Sequence, residues 1–171
     1  MNSKSRIVIA GLAVAVAFIG MTGYAVVAAG DQTAVQLADL SPADAIAERQ
    51  KLMKDNGAQA KAINDYLESG TGTAADVAAH AEAIKANAGK IVGFFVPGTS
   101  IDDNVAKTAA KKEIWDSFDE FKAAAANLGD LAGALQAAAG TGDNQKIADA
   151  FGTMGKEGCG GCHSKFRQKT Q

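Results

Sequence analysis

Near its C-terminus the chain reads Cys159-Gly160-Gly161-Cys162-His163, and no other stretch of the 171 residues says as much about the whole. A C-x-x-C-H run is a c-type haem attachment site. Two thiols three apart on a helix share a face, so both can form thioethers to one porphyrin edge. His163, four beyond Cys159, can turn under the ring as an axial ligand to iron. Gly158, Gly160 and Gly161 each cost about 1 kcal/mol in a helix relative to alanine, and their bare backbone is expected to let a flat macrocycle lie close. Two other readings compete. A zinc site would have to recruit His80 as a fourth ligand, yet nothing near His80 supplies the local ligand pair that such sites use. A thioredoxin-like redox pair would sit in a βαβ pattern, and the chain has no strand periodicity.

Working outward from the motif, the composition is helical: alanine is abundant and Pro42 and Pro97 are the only prolines. Asp143 caps a last helix that runs to about Arg167, after a break at Gly140-Thr141-Gly142. Before that break, Ile114, Trp115, Phe118, Phe121, Leu128, Leu131 and Leu135 recur at threes and fours and predict a helix over roughly Lys107 to Ala138. Phe94 to Asn104, containing Pro97-Gly98, is the longest irregular connection. A helix capped by Thr73 and reaching about Val92 precedes it, behind the turn Ser69-Gly70-Thr71-Gly72-Thr73. Ser41-Pro42-Ala43-Asp44 starts the first helix, with Ser41 as N-cap, Pro42 in the first position and an acid in the first turn. Its stripe carries it to about Glu68, through Gly57. Four helices with two short connections and one longer one predict an all-α, up-down-up-down antiparallel four-helix bundle, with covalent haem near the C-terminal helix.

The N-terminus differs in kind. Lys4 and Arg6 precede 24 uncharged residues, Ile7 to Gly30, that end in small side chains near Ala25, Ala28 and Ala29. Residues 1–30 therefore read as a secretory signal peptide, with an uncleaved N-terminal membrane anchor as the alternative, since the run is long enough to span a bilayer. Either way residues 31–171 form the exported domain, placed in the periplasm, or anchored to the inner membrane and facing it. That domain holds 19 acidic and 15 basic residues, the chain's 17 less Lys4 and Arg6, so its net charge is near −4 and gives no reason to expect nucleic-acid binding.

These motifs together resemble the class II c-type cytochromes that include cytochrome c-prime. The resemblance covers nearly all of the exported part. It rests on Cys159-Gly160-Gly161-Cys162-His163 in the last helix, Arg49-Gln50-Lys51-Leu52-Met53-Lys54 in the first, the corner Phe95-Val96-Pro97-Gly98-Thr99, and Ile114-Trp115 followed by Phe118 and Phe121. It implies a four-helix bundle, export, and one covalent haem c held by Cys159 and Cys162.

His163 is the expected proximal ligand. The sixth coordination position must be filled from another helix. Met154 lies on the motif's own helix and reads as core, which leaves Met53 and His80; the setting Val77-Ala78-Ala79-His80-Ala81 looks like surface. By the resemblance, Met53 occupies the family position facing the open side of the haem, where some members carry a non-binding apolar side chain and others a ligating methionine. Arg49, four before Met53, and Arg167, four after His163, share helix faces with haem-facing residues, and the resemblance puts such arginines near the haem propionates.

Two functions follow from the sixth position. With Met53 and His163 as metal ligands the protein is an electron carrier cycling Fe(II)/Fe(III) with redox partner proteins, which is the expected function. With Met53 off the metal it is a five-coordinate binder of nitric oxide or carbon monoxide. No general base, nucleophile or substrate pocket points to an enzyme. Alanine-rich faces on the first two helices allow a second copy to approach closely, so a homodimer is expected.

Overall fold

The computed structural model describes residues 40–169; the expected signal segment, residues 1–30, lies outside them. Helix α1 is Pro42–Ser69, with the Ser41 hydroxyl accepting from the Asp44 amide and Gly70 closing the C-terminus in the left-handed region at φ 68°. Helix α2 is Ala74–Ile91, opened by a reciprocal capping box between Thr73 and Asp76. A short turn of helix, α3 (Glu113–Asp116), precedes α4, Phe118–Ala139. Asp143 caps α5, Asn144–Thr153, with its carboxylate accepting from the Gln145 and Lys146 amides. The same helix continues as a π-helical segment, Met154–Gly160, and ends as α6, Gly161–Phe166. Together α5, the π segment and α6 form the fourth member of an up-down-up-down four-helix bundle, with α1, α2 and α4 as the others.

The core sits between α2 and α4. Ala81, Ile84 and Ala88 meet Ala125, Leu128, Ala132 and Leu135, all buried. Burying one such isoleucine or leucine contributes about 1.5–3 kcal/mol. Helix α1 packs against α2, and α4 against α5 and the π segment, whereas α1 touches α5 only lightly.

The third helix departs from its predicted start. Residues 107–112 are not helical, and α4 begins eleven residues later than Lys107, after Ser117 at φ −129° and ψ 48°. Tertiary hydrogen bonds take this backbone instead. Ala110 forms an isolated antiparallel bridge with Arg167, Lys111 N donates to Phe166 O (3.0 Å), and Gln168 N donates to Ala109 O (2.8 Å). Helical propensity loses to these partners because a long-range clip satisfies backbone groups that a helix would otherwise use.

Candidate haem site

The motif straddles the junction of the π segment and α6. Cys159 and Cys162 are free thiols, both half-buried against the core cluster. Burial pushes both thiols above their ordinary pKa, and Cys159 adds a smaller effect on Cys162. Three residues past the end of the π turn, His163 is exposed, and its imidazole makes no hydrogen bond within the described residues. Desolvation, followed by the Arg167 charge, holds its pKa below the ordinary value. A neutral imidazole is the form that binds iron. π-helical turns occur mostly as single-turn bulges inside α-helices, frequently at functional sites, and here Cys159 lies in the π segment and Cys162 in the α-helix that follows it.

The expected role of Gly158 needs correcting. A Cβ built there would meet Leu128 Cδ1 at 3.0 Å and Leu131 Cδ1 at 3.4 Å, so Gly158 is where the π segment presses on α4. Gly161 has open space around it, so the room for a macrocycle is on its side and not at Gly158.

Arg49 is 3% exposed. Its Nη1 donates to Thr99 Oγ1 (2.9 Å), and its Nη2 to Thr99 O (2.5 Å) and Thr108 Oγ1 (2.7 Å). The guanidinium also stacks 4.8 Å from the Phe95 ring centroid. Burial lowers its pKa to about 10, which leaves it cationic at neutral pH. Its neighbour Gln50 donates to Lys107 O (2.7 Å). The pair thus latches α1 to the connection between α2 and α4. Sequence reasoning places Thr99 only in the corner and pairs neither it nor Thr108 with Arg49. They lie 50 and 59 residues from Arg49, and no local pattern links such positions.

An aromatic chain joins this latch to the motif helix. The Phe95 and Phe121 centroids are 4.6 Å apart, and Phe121 meets Phe166, three residues past His163, edge-on at 5.4 Å. Phe118 and Trp115 flank the chain, and Trp115 Nε1 donates to Phe95 O (3.2 Å). Arg49 and Arg167 are therefore brought to one end of the bundle, separated by residues 108–110. Arg167 itself is exposed and lines an open depression with His163. Met53 is half-buried on α1 and packs against the core cluster. Met154 is fully buried, as its reading as core requires. His80 is not a surface residue: half-buried on α2, its Nδ1 pairs with Gln59 Oε1 of α1 at 2.6 Å, away from the motif.

A family model for cytochrome c' matches residues 44–167. The chain belongs to the cytochrome c' family. It is 36% identical over 128 residues to the cytochrome c' of Pararhodospirillum photometricum, a match covering 75% of this chain and 99% of that one. Among solved structures it is similar to a cytochrome c' with an unusual ligand-controlled dimer dissociation (TM-score 0.68, 31% identity, 76% of this chain and 98% of the other). It is also similar to the nitric oxide complex of a mutant cytochrome c prime from Alcaligenes xylosoxidans (TM-score 0.65, 28% identity, 75% and 98%).

Cytochrome c' proteins hold one covalent haem c, and Cys159 and Cys162 fit the attachment motif. The donor set agrees. Among the described residues, no three His, Cys, Asp or Glu side chains converge on a point where a metal ion could sit, so the four-ligand zinc arrangement has no counterpart in the fold. The half-buried thiols, the exposed neutral imidazole and the lightly packed side of α1 suit a planar group bound at its edge and through one axial nitrogen.

Proposed function

We propose that this member of the cytochrome c' family is a gas-binding haem protein, taking nitric oxide or carbon monoxide on the side of the haem opposite His163. The likeness of its whole bundle to a cytochrome c prime solved as a nitric oxide complex carries this reading. In it, Cys159 and Cys162 hold the haem covalently, and His163 supplies the proximal nitrogen in its neutral form. Arg49 and Arg167 bring positive charge to the end of the bundle where propionates would need it. Met53 packs over the open side as an apolar cover; its contacts with the core cluster support packing. The haem iron supplies the gas-binding and electron-storing centre.

A second reading keeps Met53 as the sixth ligand and makes the protein an electron carrier. One observation favours it: Met53 is the only thioether among the described residues on a helix other than the motif's own. A visible spectrum of the reduced protein with and without carbon monoxide separates the two. The gas-binding reading expects a high-spin spectrum, immediate conversion by carbon monoxide, and faster uptake but unchanged spin state in Met53→Ala. A low-spin spectrum that becomes high-spin only in Met53→Ala moves the assignment to the electron carrier.

Both readings describe binding and electron storage without catalytic turnover. Among the described residues no helix is long and apolar enough to cross a membrane. Residues 1–30 are proposed as a cleaved signal that sends the domain to the periplasm; intact mass of the mature protein tests cleavage against retention as an anchor. A homodimer through the alanine-rich faces of α1 and α2 is supported by the relative with ligand-controlled dimer dissociation. Sedimentation with and without carbon monoxide tests it.

A further inference from the structure

A short run of hydrogen bonds joins helix α1 to the end of the motif helix. Helix α1 reaches residues 107–108 twice: Gln50 Nε2 donates to Lys107 O (2.7 Å), and Arg49 Nη2 donates to Thr108 Oγ1 (2.7 Å). The C-terminal end of the chain takes the next three residues. Gln168 N donates to Ala109 O (2.8 Å), Lys111 N donates to Phe166 O (3.0 Å), and Ala110 faces Arg167 in the bridge between them. One atom belongs to both sets. The half-buried Thr108 hydroxyl accepts from Arg49 and also, at 3.2 Å, from the Ala110 amide. A hydroxyl oxygen has two lone pairs, and here one faces each side of the link.

Both ends of this path stop one helical turn from a residue of the candidate haem site. Arg49 lies four residues before Met53 in α1. At the other end Arg167 N donates to His163 O (3.2 Å), closing α6. Helices α1 and α6 have little direct packing, so their relative register has to be set by what lies between them. The Phe95–Phe121–Phe166 chain also runs across this gap. Apolar ring contacts are non-directional and tolerate a slide, whereas a hydrogen bond weakens steeply once its angle is lost.

We propose that Thr108 is a positioning residue for the haem: its hydroxyl ties the helix that carries Met53 to the clip that closes the helix that carries His163, and so fixes the two helices against each other across the bound group. The inference rests on the reading of Cys159, Cys162 and His163 as the haem site. It does not depend on whether Met53 binds iron, because the link holds α1 in place in either case.

Thr108→Val keeps a side chain of similar shape and removes the shared acceptor; Thr108→Ser puts the acceptor back. In the holoprotein, Thr108→Val should speed amide exchange at Lys111 and Gln168 by about tenfold, the scale of one hydrogen bond to a charged group. Ile84 and Leu128, in the interior of α2 and α4, should exchange as in the wild type. In the oxidised holoprotein the hyperfine-shifted proton resonances of His163 should move in Thr108→Val and return to their wild-type positions in Thr108→Ser. A threonine that served only its own turn would speed exchange at Ala110 alone and leave Gln168 and the His163 resonances unmoved, and that result overturns the proposal. So does faster exchange of equal size at Ile84 and Leu128, which is general destabilisation, or a serine variant that behaves as the valine one. A wild-type protein without covalent haem would sink the haem reading itself and with it the role assigned to Thr108, whereas a haem-loaded protein with unmoved Lys111 and Gln168 amides sinks the role of Thr108 alone.

Discussion

The α2–α4 interface and the side of the bundle that carries Met53, Cys159 and Cys162 are built from different materials. Between α2 and α4 small residues let the backbones close up: Ala81, Ala88, Ala125 and Ala132 are buried, and a Cβ on Gly129 would lie 3.6 Å from that of Ala88. Ile84, Leu128 and Leu135 fill what remains. On the other side α1 barely meets the fourth helix, and Met53, Cys159 and Cys162 stay half-buried. A buried cation with three hydrogen bonds holds the α2–α4 connection to α1 there. One half of the molecule reaches close packing with its own side chains; the other leaves the two haem-attachment thiols and Met53 half-buried.

The largest expected effect tests that division directly. Replacing both Cys159 and Cys162 with alanine should leave any haem extractable by acidic organic solvent, since the thioethers are its only covalent links. In the haem-free double variant, amide exchange should rise sharply over residues 154–166 and 92–112, while the buried interior of α2 and α4 keeps its protection. Uniform loss of protection across all four helices would erase the distinction.

A smaller effect sharpens it. Ile84→Ala, in the dense interface, should cost about 2–5 kcal/mol in denaturant unfolding because the cavity cannot collapse. Met53→Ala should cost about 1 kcal/mol or less, since a half-buried side chain loses little apolar area, and its effect should appear in gas uptake instead. Similar stability losses at the two positions would mean that the α1 side is packed as tightly as the core.

The smallest effect is at the start of α2. Bonds from the Thr73 hydroxyl and amide hold the Asp76 carboxyl below its ordinary pKa. A carboxyl depressed in the folded state contributes stability that is complete above the unfolded value, about 4, and lost as pH falls through the folded one. Thr73→Ala should raise the Asp76 carboxyl part of the way back to the ordinary range in a carbon NMR titration, since the residue-73 amide still donates to it. An unmoved titration would remove the capping box as its cause.

Three of the four bundle helices were legible in the chain because their ends are written in local chemistry. Ser41-Pro42, Thr73 with Asp76, and Asp143 cap where side chains bond the next turn's amides, and α1 ends at Ser69 against an expected Glu68. The third was readable in its interior stripe but not at its start. The reason is local ambiguity: Lys107 to Lys112 has the composition of a helix, and its backbone groups are taken instead by Phe166 O and Gln168 N from the far end of the chain, by Ile101 N and by the Thr108 hydroxyl.

The site divides in the same way. The haem-attachment motif Cys159-Gly160-Gly161-Cys162-His163 was identifiable from spacing alone, since attachment to one planar group constrains residues no more than four apart. What the tertiary structure decided is how those residues are presented and what surrounds them. Gly158 of the π turn sits close against Leu128, the Arg49 guanidinium donates to Thr99 and Thr108, and His80 is tied to Gln59. Each depends on contacts between residues at least 21 positions apart, and the packing that selects them exists only once the helices have met.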